Sequence, residues 1–174
     1  MRHRWIWLVV TTLALGGAYA GSVRATGATG GFMSKTLAMA TFDDLDVNLH
    51  TIPANIWQLK LNSKGKTDLY VQSNTWPALS SAGWHTHPGP SLVVITSGTV
   101  TAYEGDDPTC TPHIYSAVLP GVPNHLVDPG GGHVHLLRNE DADVQATGVT
   151  VQLIAEGATR RIDAAAPAAC PGLQ

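Results

Sequence analysis

Charge is scarce in this chain, and what there is does not cluster. Only 13% of the 174 residues are charged, with ten Lys and Arg against thirteen Asp and Glu, for a formal net charge of −3 at pH 7. No basic stripe can neutralise a run of phosphates and no polybasic tract can meet anionic lipid. Neither nucleic acid nor a membrane surface is therefore expected as a partner. Cysteine is down to Cys110 and Cys170, which lack the Cys-x-x-Cys spacing of zinc and redox sites. There is no Gly-x-Ser-x-Gly elbow, no phosphate-binding loop and no Gly-x-Gly-x-x-Gly after a strand, so the common signatures of hydrolases and nucleotide binders are missing. No pair of carboxylates stands out for glycoside hydrolysis. An internal repeat is absent, and so is an amphipathic helical period beyond the N-terminal twenty residues. The Ala-rich stretch 163–169 is interrupted by Pro167.

Apolar runs are short as well. The longest, Ile6 to Ala20, has about 15 residues against the ~20 that a helix needs to span a bilayer. It follows Arg2 and Arg4 and ends in Ala18-Tyr19-Ala20. A basic start, an apolar middle and a small-residue end make up a secretory signal, with cleavage expected near Ala20; an uncleaved anchor is the alternative. Losing Arg2 and Arg4 leaves a still more acidic, secreted domain, with no membrane contact after cleavage. In an oxidising compartment the lone cysteine pair reads as a Cys110–Cys170 disulfide. It would close a loop of ~60 residues, worth roughly 4 kcal/mol by chain-entropy arithmetic.

What remains is rich in turns, with 18 glycines and 11 prolines. Residues 21–31 read as a flexible Gly-rich linker, 32–156 as one domain, and 157–174 as an extended tail. Within the domain, stretches at 34–41, 56–61, 68–75, 92–97, 99–103, 114–119, 134–138 and 147–155 are candidate strands. Turn residues such as Pro88-Gly89-Pro90, Ser97-Gly98 and Pro129-Gly130-Gly131-Gly132 separate them. About eight short strands and no helix predict an all-β sandwich or barrel.

Chemistry concentrates in the histidines. His85 and His87 lie two apart ahead of a β-branched run, and on an extended strand residues i and i+2 share a face. Imidazole is the commonest protein metal ligand. A third histidine from another strand would complete a site, and His133 and His135 lie in the segment Gly132-His133-Val134-His135. His125, after Pro120-Gly121-Val122-Pro123-Asn124, is a further candidate. His50 and His113 read as exposed, Trp76 and Trp84 as packing residues, Asn139 as a turn cap, and Arg160-Arg161 as a solvated surface pair.

These segments resemble the cupin superfamily of double-sheet, jelly-roll-like β-barrels. The first cupin motif runs His-x-His, three or four residues, Glu, six residues, Gly. Here His85-Thr86-His87 is followed by three residues, Ser91, six residues and Gly98, so Ser91 stands where the family has its carboxylate. The second motif ends in Gly-x-x-His-x-x-x-Asn, which Gly132, His135 and Asn139 match. The resemblance covers residues 70–155; segments 103–112 and 132–140 look like those of secreted bacterial single-domain cupins. It implies a metal site of His85, His87 and His135, with His125 and His133 as alternative ligands, and a homodimer.

Three neutral nitrogens suit a divalent Fe, Mn, Ni, Cu or Zn ion. Three ligands, rather than the closed four of structural zinc, leave a position open. Without the carboxylate the ion keeps its full charge, so the expected partner is a small anionic or chelating molecule. Two functions follow from this reading. One is a metal-dependent, oxygenase-like enzyme; three-histidine sites also occur among cupin dioxygenases. The other is a non-catalytic extracytoplasmic binding module with weakly held metal or none.

Overall fold

The computed structural model describes residues 25–50 and 57–174. The proposed signal segment, residues 21–24 of the linker and the start of the 56–61 strand lie outside them. Among the described residues there is no helix. Two five-stranded antiparallel sheets face each other. The first holds, in spatial order, β1 (Met33–Phe42), β4 (Thr67–Trp76), β11 (Ala146–Ala155), β6 (Ser91–Ser97) and β9 (His125–Asp128). The second holds β12 (Ile162–Asp163), β5 (His85–Thr86), β10 (His135–Arg138), β7 (Thr99–Glu104) and β8 (His113–Ser116). A separate two-stranded ribbon pairs β2 (Asp46–His50) with β3 (Gln58–Asn62). The all-β double-sheet expectation is met.

Strict alternation builds the barrel. In β11 the even-numbered residues 146–154 point inward and are buried, while the odd-numbered ones are half-exposed. Ile95, Val93, Val100, Ala102 and Leu137 meet Trp76 and Ala146 between the sheets. Gly98 turns β6 into β7 with φ +67, and a Cβ there would meet the Gln145 carbonyl at 2.7 Å, so a side chain fits neither the backbone nor the space. The expected strand 114–119 stops at Ser116. Its hydroxyl accepts hydrogen bonds from the amides of Val118 and Leu119 and ends the ladder there.

The outer face of the second sheet is covered by its own chain. Trp84, Tyr103, Leu136 and Cys170 form a second cluster against Ala164, Ala166 and Leu173. The Trp84 indole N–H donates to the Leu173 carbonyl at 2.9 Å. The expected disulfide is present, with Cys110 and Cys170 Cα atoms 5.4 Å apart, and pins this segment down. The bridge is compatible with an extracytoplasmic protein. Residues 25–31 also run against the barrel, with the Thr26 amide donating to Ala164 and the Thr29 amide to Ser81. By contrast, among the described residues the outer face of the first sheet is uncovered and carries exposed apolar side chains. Leu92, Val94 and Val127 are 50%, 43% and 62% exposed.

Asn139 caps the turn after β10 in the expected way. Its side-chain amide donates to the carbonyls of Trp76, Pro77 and Val144, and its oxygen accepts from the Asp141 amide. It is fully buried, so the loop and the lower barrel wall are fixed together.

Candidate metal centre

The barrel register brings three histidines together. His135 on β10 is the cross-strand partner of His85 on β5, and His87 follows two residues beyond on the same side. Ring centroids are 4.4 Å apart for His85 and His135, 4.9 Å for His85 and His87, and 5.4 Å for His87 and His135. One ring nitrogen from each lies within 4.8 Å of the others.

Backbone carbonyls orient two of the rings. His85 Nδ1 lies 2.7 Å from the Gly83 carbonyl, and His87 Nδ1 lies 2.6 Å from that of Arg160. A carbonyl can only accept, so in both neutral rings the proton sits on Nδ1 and Nε2 carries the free lone pair. This is how metal-binding imidazoles are usually held. Burial pushes the pKa of His85 well below its ordinary 6.5, helped by the neighbouring His135, Arg161 and His87. Burial also lowers His87, although the Arg160 carbonyl partly opposes the shift. Both rings are neutral donors at pH 7.

This depression has a consequence for the metal-free protein. The unfolded chain takes up protons at the ordinary histidine value, whereas folded His85 and His87 resist them. Their contribution to stability is present above that value and is lost as pH falls through it toward their folded values. Chelator-treated protein is expected to melt at lower temperature as pH drops from about 7 to about 5, and His85→Ala is expected to flatten that slope. Equal slopes in wild type and variant would contradict the assignment.

Ser91 is buried and lines the cavity onto which the histidines open. Its hydroxyl accepts from Gln152 Nε2 at 3.3 Å. Directly across the ladder from it, on β9, stands Asp128. This residue was not singled out from sequence, because the strand His125–Asp128 is only four residues long between Pro- and Gly-rich turns. The signal was there: Leu126 and Asp128 alternate inward with Val127 outward. Asp128 is 4% exposed, with Oδ2 3.9 Å from His87 Nε2 and Oδ1 3.5 Å from His135 Nδ1. Burial pushes its carboxyl up, but His135, the Gly130 amide and His87 together outweigh that and hold it below the ordinary value. A carboxylate therefore does face the histidines, from the strand next to the expected one. Two turns fix it there. The Gly131 amide donates to the His87 carbonyl at 2.8 Å, and a Cβ on Gly130 would collide with the Gly89 backbone.

The other candidates separate. His125 is exposed and opposite Val94, outside the cluster. His133 shares the parity of His135 and joins Asp128 and His135 in a second group of donor atoms within 4.8 Å. His113 is exposed, as expected. The two arginines differ from the expected surface pair. Both line the cavity, with Arg160 stacked 5.0 Å from the Tyr70 ring and Arg161 donating to the Ala82 carbonyl and to Asp163.

The histidines open on a cavity of about 650 Å³, counting its mouth. Its far wall, on the first sheet, is neutral and polar: Gln72, Asn74 and Thr150. Its floor is apolar: Val93, Leu126 and Leu137.

A double-stranded β-helix barrel with buried imidazoles at its opening defines the class. The fold is that of the cupin superfamily. A cupin-like protein from Thermotoga maritima matches 80% of each chain at 14% identity, with a TM-score of 0.50. A protein with a double-stranded β-helix domain from Klebsiella pneumoniae matches 70% of this chain and 84% of its own at 14% identity, with a TM-score of 0.43. A DMSP lyase from Ruegeria pomeroyi matches 54% of this chain and 42% of its own at 19% identity, with a TM-score of 0.42. No protein-family model matches the sequence, and no curated protein matches it.

Proposed function

We propose that this chain is an extracytoplasmic metal protein that holds a divalent transition ion through His85, His87 and His135 and presents it to a small anionic or chelating molecule. The observation that carries the reading is the holding of His85 and His87: carbonyls occupy both Nδ1 atoms and leave both Nε2 lone pairs free, and a ring nitrogen of each lies within 4.8 Å of one from His135. Nitrogen donors with a carboxylate alongside fit Fe, Mn, Ni, Cu or Zn. The ion would supply Lewis acidity or one-electron chemistry at its open positions. The chain's own residues place the partner molecule. Arg160 and Arg161 give the cavity positive charge near His87, and the amide wall offers hydrogen bonds to uncharged groups.

Two uses fit this site: an oxygenase-like enzyme and a binding module. The lining favours the module. Apart from the histidines, Asp128 and the two arginines, every cavity side chain is neutral, so Asp128 beside the ion is the one carboxyl at hand for proton transfer.

Metal content of protein purified from an exporting host, followed by titration of stripped protein, tests the reading. His85→Ala and His87→Ala are each expected to weaken binding by at least ~100-fold, since each removes a ligand rather than a supporting partner. Wild-type affinity in both variants would overturn it.

A further inference from the structure

We propose a second cation site on the outer side of the first, formed by His133, Asp128 and His135, with the Asp128 carboxylate shared between two ions. Asp128 Oδ2 faces His87 Nε2. Its Oδ1 accepts from the Gly130 amide at 3.0 Å and lies 3.5 Å from both His133 Nδ1 and His135 Nδ1. Beyond that one amide, these groups are close without being satisfied. His133 Nδ1, His135 Nδ1 and Asp128 Oδ2 are all buried and have no hydrogen-bond partner. Leaving such atoms unpaired is costly, and Asp128 and His135 are each only 4% exposed. Donors around a tetrahedral ion at bond lengths of ~2.0–2.1 Å sit roughly 3.3–3.5 Å apart. The observed separations match that arrangement, while the atoms miss hydrogen-bond geometry.

The surroundings of His133 point the same way. Its Nε2 is 3.4 Å from Glu104 Oε2 and 3.7 Å from Asp106 Oδ1. Glu104 Oε2 is itself buried without a hydrogen bond. A carboxylate on the far nitrogen steers an imidazole and raises its basicity as a ligand. Counting Asp128, three carboxylates converge on a single ring. A bound dication offsets their negative charge. Mixed nitrogen and oxygen donors suit zinc or manganese. Two metals joined by a carboxylate form a clamp able to hold both oxygens of one bound anion.

The inference shares His135 and Asp128 with the proposed inner site, His135 releasing its ring proton to solvent so that each of its nitrogens binds one ion, and the test separates the two. Stripped wild type, His133→Ala, His133→Gln and His87→Ala are dialysed against zinc ion, and bound metal is counted per chain, with circular dichroism confirming the fold. Two ions in wild type, one in either His133 variant and one in His87→Ala are expected. Manganese-loaded wild type is expected to show a spin-coupled electron paramagnetic resonance spectrum that His133→Gln loses. One ion in wild type, kept in both His133 variants and lost in His87→Ala, overturns the second site and leaves the first intact. One ion lost in the His133 variants and kept in His87→Ala overturns the inner site and the shared carboxylate together. No bound ion overturns both.

Discussion

Asp128→Ala is expected to weaken divalent-metal binding by ~10–100-fold, whereas Ser91→Ala is expected to change it by less than about threefold. Spacing along the first motif points to residue 91 as the ligand position, but the side chain there is a neutral hydroxyl that accepts from Gln152. The buried charge stands one strand over, on Asp128, with an oxygen toward His87 and another toward His135. Its removal takes a negative charge from beside the cation. Asp128→Asn keeps the shape and removes the charge, and is expected to fall close to the alanine variant. Ser91→Glu would put a carboxylate at the position that the motif spacing assigns to a ligand. It would bury a second carboxylate directly opposite Asp128, so a loss of stability is expected. Competition of each stripped variant against a chelating dye measures the affinities. A larger loss at Ser91 than at Asp128 would show that the motif spacing, and not the tertiary neighbour, identifies the ligand.

Cys110→Ser with Cys170→Ser is expected to cost about 2–5 kcal/mol and to lower the melting temperature by on the order of 10 °C. The bridge spans a sequence separation of 60 and anchors a segment with little regular structure of its own. That segment is the cover over Trp84, Tyr103 and Leu136. It also supports the centre. The Arg160 carbonyl fixes the His87 ring, and Asp163 on β12 pairs with His85 on β5. The double variant is therefore expected to lose some metal affinity along with stability. Thermal unfolding of the variant, and of wild type with and without reductant, provides the check. Melting temperatures within 1 °C of each other would mean that the tail stays docked through packing alone.

Much of the molecule is written in local sequence. Turn residues mark off the long strands, and a side-chain period of two gives each strand two distinct faces. His85 and His87 had to share a side for the same reason, and a lone cysteine pair had only one partner to choose. The shortest strands left no such trace. β5 and β12 have two residues each and exist only because neighbouring strands supply their hydrogen bonds. The rest was decided by register between distant segments. Pairing of β6 with β9 put Asp128 across from Ser91, 37 positions away along the chain, and no spacing rule links the two. The return of the C-terminal segment along β5 turned Arg160 and Arg161 from surface charges into cavity walls and set a carbonyl behind His87. Periodicity reports which face a residue occupies. Which groups meet across that face depends on how the strands are ordered and slid, and only the closed barrel fixes that.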